Sequence, residues 1–466
     1  MPSEAEIIRL WAARGVALLK EHISELNSLN VFPVADQDTG TNLYLTFQSA
    51  EHFELSRAGE TDDLTDALSA LAKGAVNGAR GNSGVILAEA LVGVAEGLKH
   101  SEYTISSLLQ SAAIKARESV SEPQPGTILT LLDSIAALKS NNLEKIAQEA
   151  RRTLFESRDL LPQLRAAGVV DAGGRGVVIL LDALVQVCQG IEEESPPVGY
   201  VPTELPATLC LADREYEVIL KTHNADMKQI QERLHTLGTS ITTTSDGNVT
   251  LVHIHTDVPK VVISVLEESS KVWDINIESL KPSTAQTGCV VVIEGIGNVM
   301  NAVAMGATAL NAEDSRPETL AQAIIKSNHR DVIVIVPEDF VESASKAIET
   351  LREFKVNVHT LISPSIVSLL ASIAVFDSKA TIEKNVSVMR NAQDSVETTI
   401  VQSPTVPKLD TEKLKAAELI TIIWGDKADA SLKQQLMKYL NENAKNAEII
   451  EISGDQPSSL AVIGVE

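Results

Sequence analysis

Two aspartates one residue apart, Asp36 and Asp38, lie in the run Leu29-Asn30-Val31-Phe32-Pro33-Val34-Ala35-Asp36-Gln37-Asp38-Thr39-Gly40-Thr41-Asn42. Carboxylates so spaced on a Pro- and Gly-bounded loop can converge on a hard divalent cation, with Asn30 as a neutral oxygen donor, and Mg2+ suits such a loop when phosphates complete the shell. The same letters also read as an Asx-rich turn with Thr39 or Thr41 as a helix cap. Gly78-Ala79-Arg80-Gly81-Asn82-Ser83-Gly84 directly precedes an apolar helical pattern from Val85 to Leu98. Free amides at a helix start beside one arginine make an anion site, and phosphate fits there. Pro125-Gly126-Thr127 and Asp171-Ala172-Gly173-Gly174-Arg175-Gly176 each open a further helical pattern. Four glycine-bearing helix entrances exceed what turn chemistry needs, although each alone is compatible with a turn.

Elsewhere the chemistry is sparser. Leu251-Val252-His253-Ile254-His255-Thr256 reads as a strand, so His253 and His255 share a face and can ligate zinc or simply be paired strand histidines. Gly295-Ile296-Gly297 lacks the third glycine of a dinucleotide fingerprint.

The elements that must hold these residues fall into three regions. Apolar residues recur at helical spacing over Ile7–Leu26, Leu64–Val76, Val85–Leu98, Ile105–Ala116, Ile128–Leu138 and Val177–Val187, which predicts an all-α domain over residues 1–195. A charged, proline-rich run, Glu192 to Pro206, reads as a linker. Strands at Tyr216–Lys221 and Val249–Thr256 around a helix at Met227–Leu237 predict a small α+β domain over 208–284. From 286 to 466 strands and helices alternate (Cys289–Ile293, Val299–Ala309, Val332–Val336, Ala344–Phe354, Val356–Ile362, Leu419–Trp424, Leu432–Asn443, Glu448–Ile452), predicting an α/β domain with a second hinge near 396–412.

Composition narrows the function. The 466 residues carry 39 Lys plus Arg against 63 Asp plus Glu, a formal charge of −24, which argues against a nucleic-acid partner. An anionic substrate then needs a local device to hold it. Aromatics make up only 3%, so Ala, Leu, Val and Ile fill the cores. Three distant cysteines build neither a disulfide framework nor a Cys-x-x-Cys site. The N-terminus has no basic start or apolar run, and stretches such as Val85–Ala95 are too short to span a bilayer, so a cytoplasmic protein without a transmembrane segment is expected.

Taken in order, Asn-Val-Phe-Pro-Val-x-Asp-x-Asp-Thr-Gly-Thr-Asn, Gly-Ala-Arg-Gly-Asn-Ser-Gly-Val-Ile-Leu, Gly-Thr-Ile-Leu-Thr and Val-Val-Asp-Ala-Gly-Gly resemble the nucleotide-binding domain of the dihydroxyacetone kinase L-subunit (DhaL) type. More closely they are similar to bacterial fatty acid kinase catalytic subunits. The resemblance implies an N-terminal α-helical barrel binding ATP through Mg2+, a small α+β middle domain and a DegV-like α/β C-terminal domain. It implies that Asp36 and Asp38 hold Mg2+ with Asn30 beside them. Thr39, Gly40, Thr41 and Asn42 would line the triphosphate, Asn82 and Ser83 would sit on the phosphates, Gly126 and Thr127 near the nucleotide, and Asp171, Ala172 and Gly173 at the pocket rim. Gln37 stands where these relatives usually carry glycine.

In the middle domain the relatives complete a Cys-His-His set for which this chain offers only Glu215 or Glu217 nearby, so a Zn2+ site at His253 and His255 rests on an oxygen donor. The C-terminal domain has Ala307 to Asp314 in place of the relatives' polar loop. The implied activity is phosphorylation of a fatty acid carboxylate presented by a separate DegV-like acyl-binding protein, by a homodimer. Phosphotransfer to dihydroxyacetone or another small hydroxyl substrate, and a non-catalytic nucleotide-binding scaffold, are the alternatives.

Overall fold

The computed structural model describes residues 2–57, 63–99, 102–190, 214–223, 227–280, 286–327, 329–354 and 356–466. They form two compact units, one ending at Trp273 apart from Leu280–Pro282, the other holding most of the residues beyond it. The linker expected over 192–206 lies outside the described residues.

The first unit begins with ten helices: α1 Glu4–Glu21, α2 Ile23–Leu29, α3 Thr39–Arg57, α4 Leu64–Gly78, α5 Gly81–Gly97, α6 Ile105–Glu118, α7 Ile128–Ala137, α8 Leu143–Ser157, α9 Pro162–Ala167 and α10 Ala172–Gln189. The pattern read as one helix from Ile7 to Leu26 is two, broken at His22. Neighbours run α1, α3, α4, α5, α6, α7, α8, α10 and back to α1, so eight helices close a ring, the expected helical barrel. Small residues let the helices approach. A Cβ on Gly74 would lie 2.6 Å from the Ser49 carbonyl oxygen, and one on Gly93 2.4 Å from that of Ser111. The ring encloses an apolar cavity of about 350 Å³ lined by residues such as Trp11, Leu68, Leu91, Leu132 and Leu184. By length and composition alone α10 could cross a bilayer, yet 67% of it is buried inside the barrel.

Within the same unit, β1 Tyr216–His223, α11 Met227–Leu237, β2 Gly238–Ser245, β3 Val249–Thr256 and α12 Pro259–Glu267 form a small α+β layer. Its strands run β2-β3-β1, each pair antiparallel. The register sets Glu217 across from His255, and Thr242 across from His253.

The second unit contains β4 (Val272–Ser279, mostly in this unit), β5 Thr287–Ile293, α13 Ile296–Ala304, β6 Thr308–Asn311, α14 Pro317–Lys326, β7 Asp331–Pro337, α15 Val341–Thr350 and β8 Asn357–Ser363. Continuous apolar strands such as Val332–Val336, wholly buried, suit a sheet covered on both faces, and β6, β5, β7 and β8 are parallel. Thr308 and Ala309, read as the end of a helix, belong to the short strand β6 instead. After α16 Ile366–Ala374 and α17 Ile382–Ser395 comes a second sheet, built from β9 Glu397–Val401, β10 Leu419–Trp424, β11 Glu448–Ser453 and β12 Ala461–Val465 with α18 Thr411–Ala416 and α19 Ala430–Asn443. The hinge expected over 396–412 therefore contains strand β9, which pairs with β12 from Glu397 to Val401.

Candidate nucleotide and cation site

The barrel closure brings the four glycine-bearing helix starts to one end. Gly81 and Asn42 touch closely: a Cβ on Gly81, whose φ is +54°, would lie 2.4 Å from Asn42 Nδ2. Gly173 sits beside Ile128 and Ser83, so α10, α7 and α5 begin together. Of the residues singled out from sequence, Thr39, Gly40, Thr41, Asn42, Gly126, Asp171, Ala172 and Gly173 are buried. Asn82, Ser83, Thr127 and Asp38 are half-buried, and Asp36 is exposed.

The α3 start is closed by side chains. Asn27 Oδ1 accepts from the amides of Gly40 (2.7 Å) and Thr41 (3.1 Å), and its Nδ2 donates to Thr41 Oγ1 at 3.1 Å. Asn30 Oδ1 accepts from the amides of Asp38 and Thr39, each at 3.1 Å, while Nδ2 donates to the Val34 carbonyl at 2.9 Å. Asn30 is thus a clamp on the aspartate loop. Its carboxamide oxygen is shared by the amides of Asp38 and Thr39. Between them Gln37 adopts φ +59°, the left-handed conformation that glycine takes readily, so the loop keeps its shape without glycine.

The α10 start is closed as well, whereas the N-cap of α7, Thr127, makes no side-chain cap of its own. Asp171 accepts from the Gly174 amide at 2.6 Å and from the Ile128 amide. It is fully buried rather than at a rim, and burial, partly offset by those two amides, pushes its carboxyl up to about 6. Gly126 donates to Thr130 Oγ1 at 2.9 Å, and Thr127 Oγ1 to the Gln124 carbonyl.

The α5 start differs. Arg80 precedes it without a side-chain cap, so the first-turn amides of Gly81, Asn82 and Ser83 gain no side-chain acceptor from it. The Gly-Asn-Ser-Gly segment read as a loop before a helix is the helix's own first turn. Beside it Asn42 Oδ1 is buried with no hydrogen-bond partner. Asn42 begins one turn after Asp38, its amide donating to the Asp38 carbonyl at 2.8 Å. An open helix start, an orphaned buried carboxamide and two carboxylates on the adjoining loop suit a polyphosphate with a divalent cation.

In the α+β layer, Glu217, His253 and His255 are all buried, with one ligand atom from each within 4.8 Å of the others. His253 Nε2 lies 2.8 Å from Glu217 Oε1, and Nδ1 lies 3.1 Å from the Ser240 carbonyl. A carbonyl only accepts, so Nδ1 carries the hydrogen, which is the arrangement of a histidine that ligates through Nε2. Of the two glutamates considered from sequence, Glu217 is the one that joins the histidines; Glu215 donates its amide to Asp257 instead. What sequence reasoning missed is that the neighbouring strand β2 reaches α5. Thr242 Oγ1 donates to Asn82 Oδ1 at 3.1 Å, and the Ser245 amide donates to Glu89 Oε1 at 3.1 Å.

Comparison with known proteins matches this division. Residues 33–186 match the DAK2 domain, residues 214–287 the middle domain of the FakA-like fatty acid kinase family, and residues 405–466 its C-terminal domain. The chain is 25% identical to protein YloV of Bacillus subtilis (strain 168), over 97% of each chain. It is 24% identical to an uncharacterized protein of Staphylococcus haemolyticus, again over 97% of each. A dihydroxyacetone kinase of C. freundii, solved in native form, aligns over 39% of this chain with a TM-score of 0.31 and 17% identity, and the match spans about a third (34%) of that kinase's length. A match to the DAK2 domain thus precedes matches to both the middle and the C-terminal FakA-like domains along this chain.

Proposed function

We propose that this chain is the nucleotide-binding subunit of a two-protein, cytoplasmic fatty acid kinase, which passes the γ-phosphoryl group of ATP to an acyl carboxylate presented by a separate fatty-acid-binding protein, and that it works as a homodimer. The observation that carries the reading is the first turn of α5, open where the starts of α3 and α10 are closed, with the unpartnered Asn42 Oδ1 and the Asp36–Asp38 loop beside it. The matches to the DAK2 and FakA-like domains support the kinase class.

Asp36 and Asp38 would hold Mg2+, which when bound neutralises charge on the phosphates. The amides of Gly81, Asn82 and Ser83, with the Asn82 and Ser83 side chains, bind and orient the phosphate oxygens, while Asn42 fixes the approach through Gly81. In the transfer a carboxylate oxygen of the acyl group bonds to the γ-phosphorus as the bond from that phosphorus to the ADP oxygen breaks. A carboxylate is already ionised at neutral pH, so this reaction asks for no general base. Phosphorylation of a hydroxyl group would ask for one.

The test is a Mg2+-ATP titration of the full chain, then an acyl phosphate assay with a fatty-acid-loaded carrier. Expected are Mg2+-dependent nucleotide binding, its loss in Asp36→Ala and Asp38→Ala, and carrier-dependent acyl phosphate. Turnover of dihydroxyacetone, or binding with no transfer to any acyl carrier, would replace the acyl reading.

A further inference from the structure

We infer that Thr242, on strand β2 of the α+β layer, is a positioning residue for the nucleotide site, acting through Asn82; this rests on the reading of the α5 start as a phosphate site. Its hydroxyl donates to Asn82 Oδ1 at 3.1 Å, which fixes the carboxamide's orientation at the second position of α5. With Oδ1 engaged, Asn82 Nδ2 is left as a donor on the side away from β2. Thr242 is itself buried, 2% exposed, so its hydroxyl has no solvent to turn to.

The strand is shaped for this contact. Its pairing with β3 shifts register between Thr239 and Thr242, and Ser240 within the shift has φ +51°. A bulge of this kind re-aims the side chains that come after it. Backbone bonds pin the strand on both sides of Thr242: the Ser121 amide donates to the Ile241 carbonyl at 3.3 Å and the Thr243 amide to the Ser119 carbonyl at 3.1 Å. Residues 119–121 lead directly into the Gly126–Thr127 turn, so β2 braces two of the four helix starts. Behind Thr242 stands His253, whose Nδ1 is 3.4 Å from Thr242 Oγ1 and whose Nε2 meets Glu217. Glu217, His253, Thr242 and Asn82 therefore form one continuous polar line from the interior of the α+β layer to the first turn of α5. The layer is part of the nucleotide site's framework.

The experiment is a double-mutant cycle on the full-length protein, read as Mg2+-ATP affinity by calorimetry. Thr242→Val keeps the shape and removes the hydroxyl, and it is expected to weaken binding about five- to tenfold, the scale of one buried hydrogen bond. Thr242→Ser restores the hydroxyl and is expected to bind within about twofold of the parent. Asn82→Ala is expected to weaken binding by at least as much as Thr242→Val, and Thr242→Val added to it to change nothing further, because the two act as one unit. Parent-like affinity of Thr242→Val, or additive losses in the double variant, would overturn the inference. Should Thr242→Val not fold, Thr242→Ser by itself keeps the test: an affinity loss for Thr242→Ser equal to that of Asn82→Ala overturns the inference. Absence of Mg2+-ATP binding by the parent, or undiminished binding by Asp38→Ala, would instead bring down the nucleotide-site reading and the inference with it.

Discussion

The starts of α3 and α5 look alike in sequence, each small, polar and bearing glycine, yet they do opposite jobs. The amides of α3 are taken up inside the protein by Asn27 and Asn30, while α5 starts with no side-chain cap and its second residue held from outside by Thr242. The first is a structural cap whose loss is felt in stability. The second is kept open, and its loss is felt in binding. A closed start leaves no amide for a ligand, and an open one is tolerated only where something else satisfies it.

The contrast can be broken most forcefully at Asn27. Asn27→Ala deletes three hydrogen bonds in a buried position and should lower unfolding free energy by about 3 kcal/mol, seen in urea denaturation. A loss below about 1 kcal/mol would remove the distinction between the two starts. Asp171 comes next, as the buried cap of the neighbouring helix. Its folded value of about 6 exceeds the usual aspartate value of 3.8, so the fold favours the protonated form. The stability it contributes is fully present below pH 3.8 and is lost as pH rises through about 6, on the order of 3 kcal/mol in all. Asp171→Asn should flatten that fall, and an unchanged pH slope of stability between about pH 4 and 7 would show that burial does not control this carboxyl.

Gln37 tests the loop that α3's cap holds in place. Gln37→Gly relieves a left-handed side-chain-bearing residue and should raise stability by up to about 1 kcal/mol while leaving Mg2+ dependence intact. A drop in stability would mean that the side chain, not only the backbone, shapes the aspartate loop. The start of α5 comes last. Asn82→Ala removes the acceptor of the buried Thr242 hydroxyl and should lower the unfolding free energy by about 1 kcal/mol, well short of the loss in Asn27→Ala, even as nucleotide affinity falls.

Much of this was legible beforehand, and the gaps have physical causes. The periodic helices, the parallel-sheet strands and the four helix starts stand out because apolar spacing and glycine are strong local signals. Glu217 could be named as a partner for the histidines because it precedes them on an adjacent strand. Strand β2 escaped notice because Gly-Thr-Ser-Ile-Thr-Thr-Thr-Ser has no apolar alternation; Thr242 and Thr244 are buried, and Thr242 meets Asn82 and His253 rather than a greasy core. Strand β6 is four residues long, too short to display a period. Which helix start is closed was legible only in part: Asp171 caps its own helix three residues on, but its bond to the Ile128 amide and the closure of α3 by Asn27 run between helices.

The ring of helices also sets an order of events for the growing chain. Its seam joins the first helix to the last, with Trp11 Nε1 donating to the Leu180 carbonyl at 2.8 Å across 169 positions and Arg14 Nε donating to Gln186 Oε1 at 2.9 Å. At roughly 5–20 residues per second of synthesis, α1 waits on the order of ten seconds or longer for its partner. The helix that closes the ring also carries the Asp171 cap at its start, so the barrel and that side of the pocket become complete in the same step, before strand β2 emerges with Thr242.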